Sequence, residues 1–546
     1  MPRRLGAVLF RGATTAALGC ALAGAGTAAG AGTAAGAGTA AGAGTVAGAG
    51  TVAGAAAPAA RPGLTAAASV SAALAGGGGS AWGTARELPG FPRLGGFATP
   101  ASLACPSPGD CTVGGQYQDQ SGDRAFVADE KAGIWRAAIP VPGSAALDVV
   151  PVAVAAVSCA SAGDCTAGGF YDNGVSQAFV AGEARGVWHA AVTPPGAYID
   201  ESGPGAEITA VSCSSPGNCA AGGSIEDSSE PDAVNAFVVD EKNGTWRTAL
   251  DVPGTDARNT GGDASVVGVW CGSPGNCAAD GYYNGTRLFV VSEKNGTWDR
   301  AQPLPVPLAV NPYQNLGQIT DEFTGLAPLS CASAGNCGIA GAYVDSHGKT
   351  QAFVETEKNG TWQPVREVAA ALNTGGNAIA AVITCPSAGN CAAGGAYSAG
   401  ASMVEGFVVT EKNGTWQPAR EVAATLDTGH QAAVDTISCP KAGDCAAGGA
   451  YTVPTPKNPF TKYRSQAFVV TEKNGTWQPA REVAGALNTE GIAETLAVVC
   501  PSAGSCTAVG SYFDAAGFSA FTVAGSIIQP ATTAMPLRPA PHRRNP

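Results

Sequence analysis

The sequence predicts an all-β fold: an eight-bladed β-propeller with four antiparallel strands per blade, closed by an N-terminal strand that completes the last blade. Three observations predict it. A cysteine pair with five residues between its members recurs eight times, at steps of 54 to 61 residues. A Phe-to-Trp hairpin of the form FVVSEKNGTW recurs seven times between those pairs. The strand that the last unit lacks stands ahead of the first pair, as AWGTARELPG around Trp82. A period of this length, repeated in tandem with several short strands per unit, is the sequence form of a propeller.

The sixth unit shows the elements in order. AIAAVITC leads into the turn PSAGN, then CAAGGAY, a variable loop, GFVVTEK, Asn-Gly, TWQPAREV and a second variable loop. Each apolar run is short, rich in β-branched or aromatic residues, and bounded by Gly, Pro, Asn or Ser, which marks antiparallel strands. Asn413-Gly414 fits a two-residue type I′ turn, whose central residues both need positive φ. Eight cysteine hairpins face only seven tryptophan hairpins, because the last unit ends at SAFTVAGS. Arg86 and Glu87 follow Trp82 at the offsets that Arg366, Glu367, Arg420, Glu421, Arg481 and Glu482 hold after their own tryptophans. The ring therefore closes through the N-terminal strand, which an open solenoid would have no reason to displace. The predicted core is Phe126, Phe179, Phe237, Phe289, Phe353, Phe407, Phe468 and Phe521 with the fourth-strand tryptophans. Trp270, directly before Cys271, stands outside the pattern and either fills a gap in a blade or lines the channel.

Sixteen of the 17 cysteines form the pairs Cys105–Cys111, Cys159–Cys165, Cys213–Cys219, Cys271–Cys277, Cys331–Cys337, Cys385–Cys391, Cys439–Cys445 and Cys500–Cys506. Each pair spans the turn between first and second strands, where a cross-strand disulfide is natural. Structural zinc prefers closer spacing and a second pair or histidines nearby, and the chain has only four His. Disulfides place the protein outside the cytoplasm.

The ends fit that compartment. Residues 1–26 read as a signal peptide, with Arg3 and Arg4 before an Ala-rich apolar stretch, and Cys20 is a candidate lipid anchor. Residues 27–78 repeat GAGTAA and GAGTVA, with too little apolar volume to fold, and make a flexible linker. The propeller occupies 79–525, and 526–546 form a Pro-rich basic tail. A net charge of −12 argues against a nucleic-acid binder, and no run of 18 apolar residues is free of charge or glycine.

The repeat, SC-x-S-x-GNCAAGG-Y followed by AFVV-x-EKNGTW, resembles the tandem repeats of secreted actinobacterial proteins without an assigned activity, over roughly residues 80 to 525. More distantly, Ser292 to Trp298 looks like the Asp-box of sialidase-type propellers. It is one residue shorter than that box and lacks its aspartate, and the box is itself structural. The resemblance implies a propeller and imports no catalysis.

Catalytic signatures are sparse. The chain has no G-x-S-x-G elbow, no H-E-x-x-H and no phosphate loop. His189, His347, His430 and His542 are each isolated in sequence and read as surface residues. No Asp-x-Asp-x-Asp loop supports Ca²⁺, and neither a metal nor a cofactor is expected. Five of the six Asn-Gly-Thr triplets are hairpin turns, which explains them without a sugar.

Variation points to one rim. Turns joining strands one to two and three to four are short and uniform, whereas the other connections vary and should crowd the opposite rim, the usual place for function. Candidate ligand contacts there are Tyr117, Asp119, Tyr171, Asp172, Asp227, Tyr283, Tyr343, Asp345, Tyr397, Tyr451, Tyr463 and Tyr512, the repeat-placed tyrosines also suiting packing. The longest insertion, 452 to 465, adds Lys457, Phe460, Lys462 and Arg464. The expected function is a secreted or cell-surface, monomeric, non-enzymatic binding module for an extracellular glycan or another exported protein. The alternatives are a polysaccharide hydrolase or lyase and a structural surface-repeat protein.

Overall fold

The structure, a computed structural model, describes residues 81–526 apart from 92–96, 120–121, 145–151, 173–174, 198–204, 227–232, 308–325, 401–402 and 456–462. The expected signal segment, Cys20, the linker, the tail after 526, Asp227, Lys457, Phe460 and Lys462 lie outside the described residues.

Eight antiparallel sheets form the blades. In blade 1, Ala98–Ser107, Asp110–Asp119 and Gly122–Lys131 run as a meander, with Ile134–Trp135 and Ile139–Pro140 on the outer edge. The first strand of every blade packs against the first strands of both neighbours, and that of blade 8 packs against that of blade 1, so the ring is closed. Closure uses the displaced strand. Trp82 pairs with Gly525 and Glu87 with Phe521, the register in which Trp477 pairs with Glu472 and Glu482 with Phe468. The Trp82 indole N–H donates to Thr471 of blade 7 at 3.1 Å, as the Trp477 indole donates to Thr410 of blade 6 at 3.2 Å.

The fourth strand differs from the sequence expectation in being broken into two short pieces. In blades 5 to 7 the second residue after the tryptophan is Pro364, Pro418 or Pro479, which has no N–H for the ladder. The break recurs in blades without this proline, so proline accommodates the bulge and does not cause it. A second irregularity repeats in the first strand. There the register skips one residue, for example between Val154 and Ala156 and between Val434 and Thr436.

The eight phenylalanines are at most 1% exposed and form the core between blades. The second glycine of each CAAGG segment explains its own recurrence: a Cβ on Gly169, Gly223 or Gly449 would sit about 2 Å from a carbonyl oxygen of the first strand. All eight cysteine pairs are disulfide-bonded. Next to them, blades are stitched by serine hydroxyls that accept a backbone N–H of the following blade. Ser158 takes that of Cys213, Ser212 that of Cys271, and Ser438 that of Cys500. Trp270 occupies the serine position in blade 4 and packs against the apolar cluster that blades 4 and 5 share.

Among the described residues no helix is long and apolar enough to cross a membrane. Eight disulfides fit an oxidising compartment.

Candidate functional site

The two classes of connection fall on opposite faces. On one face the turn between third and fourth strands bonds to the turn between first and second. Gly133 N–H donates to Gly109 O, and Gly186, Gly244, Gly296, Gly360, Gly414 and Gly475 repeat that bond at 2.7–2.8 Å. The turns are of the I′ kind, with φ near +50° at Asn243, Asn295, Asn359, Asn413 and Asn474 and near +80° at the following glycines. Ala132 and Arg185 adopt the same φ without an asparagine. The Asn or Asp before each second cysteine clamps this turn. Asn218, Asn276, Asn336 and Asn390 accept the N–H of Asn243, Asn295, Asn359 and Asn413, at 3.1–3.2 Å. Blade 8 has no such turn within its own chain segment, and Ser505 stands in the clamp position.

Clefts open between blades on this short-turn face. They measure about 310 Å³ between blades 1 and 2, 370 Å³ between 2 and 3, and 280 Å³ between 3 and 4. Behind them lies a repeated unit: a third-strand residue of one blade, and the tryptophan and buried glutamate of the next. Between blades 6 and 7 the third-strand residue is Thr410, which accepts from Trp477 Nε1 and donates to Glu472 Oε1. Between blades 3 and 4 it is Asp240, which accepts from Trp298 Nε1 at 3.3 Å. Asp240 also hydrogen-bonds Glu293, which two carboxyls can do only by sharing a proton. Burial, then the charge of Asp240, pushes Glu293 up to about 7. Between blades 1 and 2, Asp129 takes the same place beneath Trp188, and burial with the Asp129 charge raises Glu183 to about 7. Arg136 and Arg247 line these clefts and partly offset the acids.

The opposite, variable-loop face holds the residues singled out from the sequence. Most of the tyrosines are built into the blades. Tyr117, Tyr343, Tyr397 and Tyr451 each lie 6.3–6.4 Å from the core phenylalanine of their blade. Tyr343 donates to Glu367 at 3.2 Å and Tyr397 to Glu421 at 3.0 Å, so the glutamate of the recurrent Arg-Glu pair serves the tyrosine of its own blade. Tyr171 shares a hydrogen bond with Thr193, and Tyr283 and Tyr512 are buried. Tyr463 presents an exposed ring at the start of a third strand. Asp119 pairs with Arg124 in blade 1, and Asp172 ends the second strand of blade 2. Asp345 accepts from Gln351 Nε2 and the N–H groups of Lys349 and His347, which hold its carboxyl below the usual range. The side-chain hydrogen bonds given above for Tyr171, Tyr343, Tyr397, Asp119 and Asp345 all stay within their own blades.

One cluster on this face was not among the residues singled out. In blades 3, 5 and 7 an asparagine on the outgoing loop donates to an amide of the third strand. Asn259 bonds Asn235, Asn373 bonds Gln351 and Asn488 bonds Gln466, at 2.8–3.0 Å. In blade 6 the same two positions are Asp427 and Glu405, 3% and 6% exposed. His430 Nδ1 lies 3.1 Å from Glu405 Oε1, and its imidazole is 57% exposed. Burial raises Glu405 to about 7; the His430 bond opposes that rise, and the nearby Asp427 and Glu421 reinforce it. Thr452 of blade 7 donates both its N–H and its hydroxyl to Asp427 Oδ1. The signal was present in the sequence, as TLDTGH set against ALNTGG and ALNTEG, and shows only once those segments are aligned to the loop they form. Among the described residues no three metal-ligating side chains converge.

No family model matches the chain, and neither does any curated protein. Solved structures match this chain at low similarity. An acylaminoacyl peptidase of Pyrococcus horikoshii is 9% identical with a TM-score of 0.38, over 71% of this chain and 52% of that one. This chain thus spans about half of the peptidase. The polysaccharide lyase Uly1 is 10% identical with a TM-score of 0.38, over 68% of this chain and 90% of that one. An ulvan lyase bound to a GlcA–Rha3S unit is 9% identical with a TM-score of 0.33, over 80% and 93%. The class that the fold and its repeats define is an eight-bladed, disulfide-stapled β-propeller.

Proposed function

We propose that this chain is an exported binding module that holds an extracellular glycan or another exported protein in the clefts of the short-turn face. The observation that carries this reading is the run of three successive clefts, 280–370 Å³ each, between blades 1 and 4. That size suits one small unit of a ligand per cleft. Their walls offer amide, guanidinium, ammonium and carboxyl groups at repeat-related positions, including Asn218, Asn295, Lys242 and Arg247. A rigid array of similar clefts suits a ligand that is itself repetitive. The glutamates of these walls are largely buried between the blades, which leaves the amides and cations as the groups most open to a ligand. The disulfides and the reading of residues 1–26 as a signal support export.

A thermal-shift screen of the oxidised chain against wall glycans, neutral and charged oligosaccharides tests this. A ligand at 100 times its dissociation constant should add about 2.7 kcal/mol. Asn295→Ala combined with Arg247→Ala should reduce the shift by removing the contribution of the cleft between blades 3 and 4. A shift that survives those substitutions would take the site out of the cleft between blades 3 and 4.

A further inference from the structure

Blade 6 departs from its sibling blades at three positions at once, and the three departures meet. Asp427 replaces the asparagine of Asn259, Asn373 and Asn488; Glu405 replaces the amide of Asn235, Gln351 and Gln466; His430 replaces the glycine of Gly262, Gly376 and Gly491. The backbone slot is the same in all four blades. The carbonyl of His430 accepts the N–H of Val404, as Gly262, Gly376 and Gly491 accept those of Val234, Thr350 and Ser465. That slot has positive φ, +58° at His430, where glycine rests without strain and a histidine costs on the order of 1 kcal/mol or more. Blade 6 thus carries backbone strain and a buried acid pair that folding does not require, since three siblings fold with Gly, Asn and an amide.

We propose that His430, oriented by Glu405 and Asp427, is a general base on the variable-loop face that activates water against an uncharged acyl ester. With Nδ1–H donated to Glu405 Oε1, the imidazole presents its Nε2 lone pair outward. The chemistry around it selects the substrate class. Glu405 and Asp427 are too buried to touch a glycosidic bond, which argues against a carboxylate-pair glycoside hydrolase. Glu405, Asp427 and Glu421 all bear on the site and repel an anionic substrate, which argues against proton abstraction from a uronate. In the step proposed, Nε2 takes a proton from water as the water oxygen bonds to the acyl carbon. On collapse the carbon–oxygen bond to the alcohol breaks, and the imidazolium returns the proton to the leaving oxygen. Acid and alcohol are the products, and water is the only co-reactant. This site lies on the face opposite the binding clefts and does not depend on them.

The test uses the oxidised full chain with p-nitrophenyl acetate as the neutral ester and 4-acetoxybenzenesulfonate as the anionic one. Hydrolysis of the neutral ester should exceed by at least tenfold that of His430→Gly, a variant with the residue that the siblings carry in the same slot. Glu405→Gln and Asp427→Asn, again sibling residues, should lower the rate about tenfold and move the pH at which it is half-maximal. His347→Gln removes an imidazole in blade 5 that is 82% exposed and should leave the rate unchanged. Equal rates in wild type and His430→Gly overturn the proposal, as does an equal loss in His347→Gln, which would mark background imidazole chemistry. A preference for the anionic ester overturns the substrate class.

Discussion

The two halves of the ring meet the same packing problem with different chemistry. Between blades 6 and 7 and between 7 and 8, a threonine stands under the incoming tryptophan and its hydroxyl accepts from the indole; between 6 and 7 the same hydroxyl also donates to Glu472, whereas blade 8 has Gly525 at that position. Between blades 1 and 2 and between 3 and 4, aspartate takes that place, and the glutamate beside it keeps its proton to near neutral pH. The fold is satisfied either way. The difference teaches that a buried acid here is a local option and not a structural need, so the acid-bearing half can be altered toward the neutral one with little risk to the ring.

The largest effect should come from the tryptophans, which test whether the closing blade is equivalent to the others. Trp82→Ala and Trp477→Ala should each cost about 3–5 kcal/mol in thermal or denaturant unfolding, because both indoles are buried on a threonine. A much smaller loss at Trp82 would mean that the N-terminal strand is a weak clasp. Next, replacing Cys385 and Cys391 together by serine should cost about 2 kcal/mol for so short a loop. A double-serine variant as stable as the parent would show that the turn clamp alone holds the hairpin.

Asp240→Thr transplants the neutral solution into the acid half. Glu293 sits at about 7 in the folded chain and at the ordinary carboxylate value, about 4.5, unfolded. The folded state therefore holds the extra proton, and stability from this group is lost as pH climbs from about 4.5 to about 7, then levels off. The variant should match the parent at pH 4 and exceed it by roughly 1 kcal/mol at pH 8, read from the pH dependence of the unfolding midpoint. A parallel offset at both pH values would remove the shared proton from the explanation. The smallest effect is expected for Asn390→Ala, which frees the N–H of Asn413: about 1 kcal/mol, with a larger loss pointing to the turn as a folding determinant.

The architecture was legible because each blade carries its own punctuation. The cysteine pair, the Asn-Gly turn and the displaced Trp82 strand each fix one connection, and the structure keeps them all. The break in the fourth strand was not legible, since it recurs with and without proline. The chemistry was legible only in part. The spacing of Tyr397 and Glu421 could be read, but that they bond to each other follows from a register that pairs second with third strand and third with fourth. Asp427 and His430 look like ordinary loop residues in the chain. They gain meaning when set beside Asn373 and Gly376, residues separated from them by a whole blade.

The way the ring is closed has a mechanical consequence. Ala81 lies opposite Ser526 and Trp82 opposite Gly525, so the chain comes into the last blade and leaves it at neighbouring points. Tension drawn between those two points would act across the pairing and would open its bonds singly, from Ala81 inward, as a zipper opens. The same ladder pulled lengthwise would have to shear all its bonds together. The seven other blades have no free strand end on which a pull could begin. Under force the molecule would yield first at its clasp and leave the remaining disc intact.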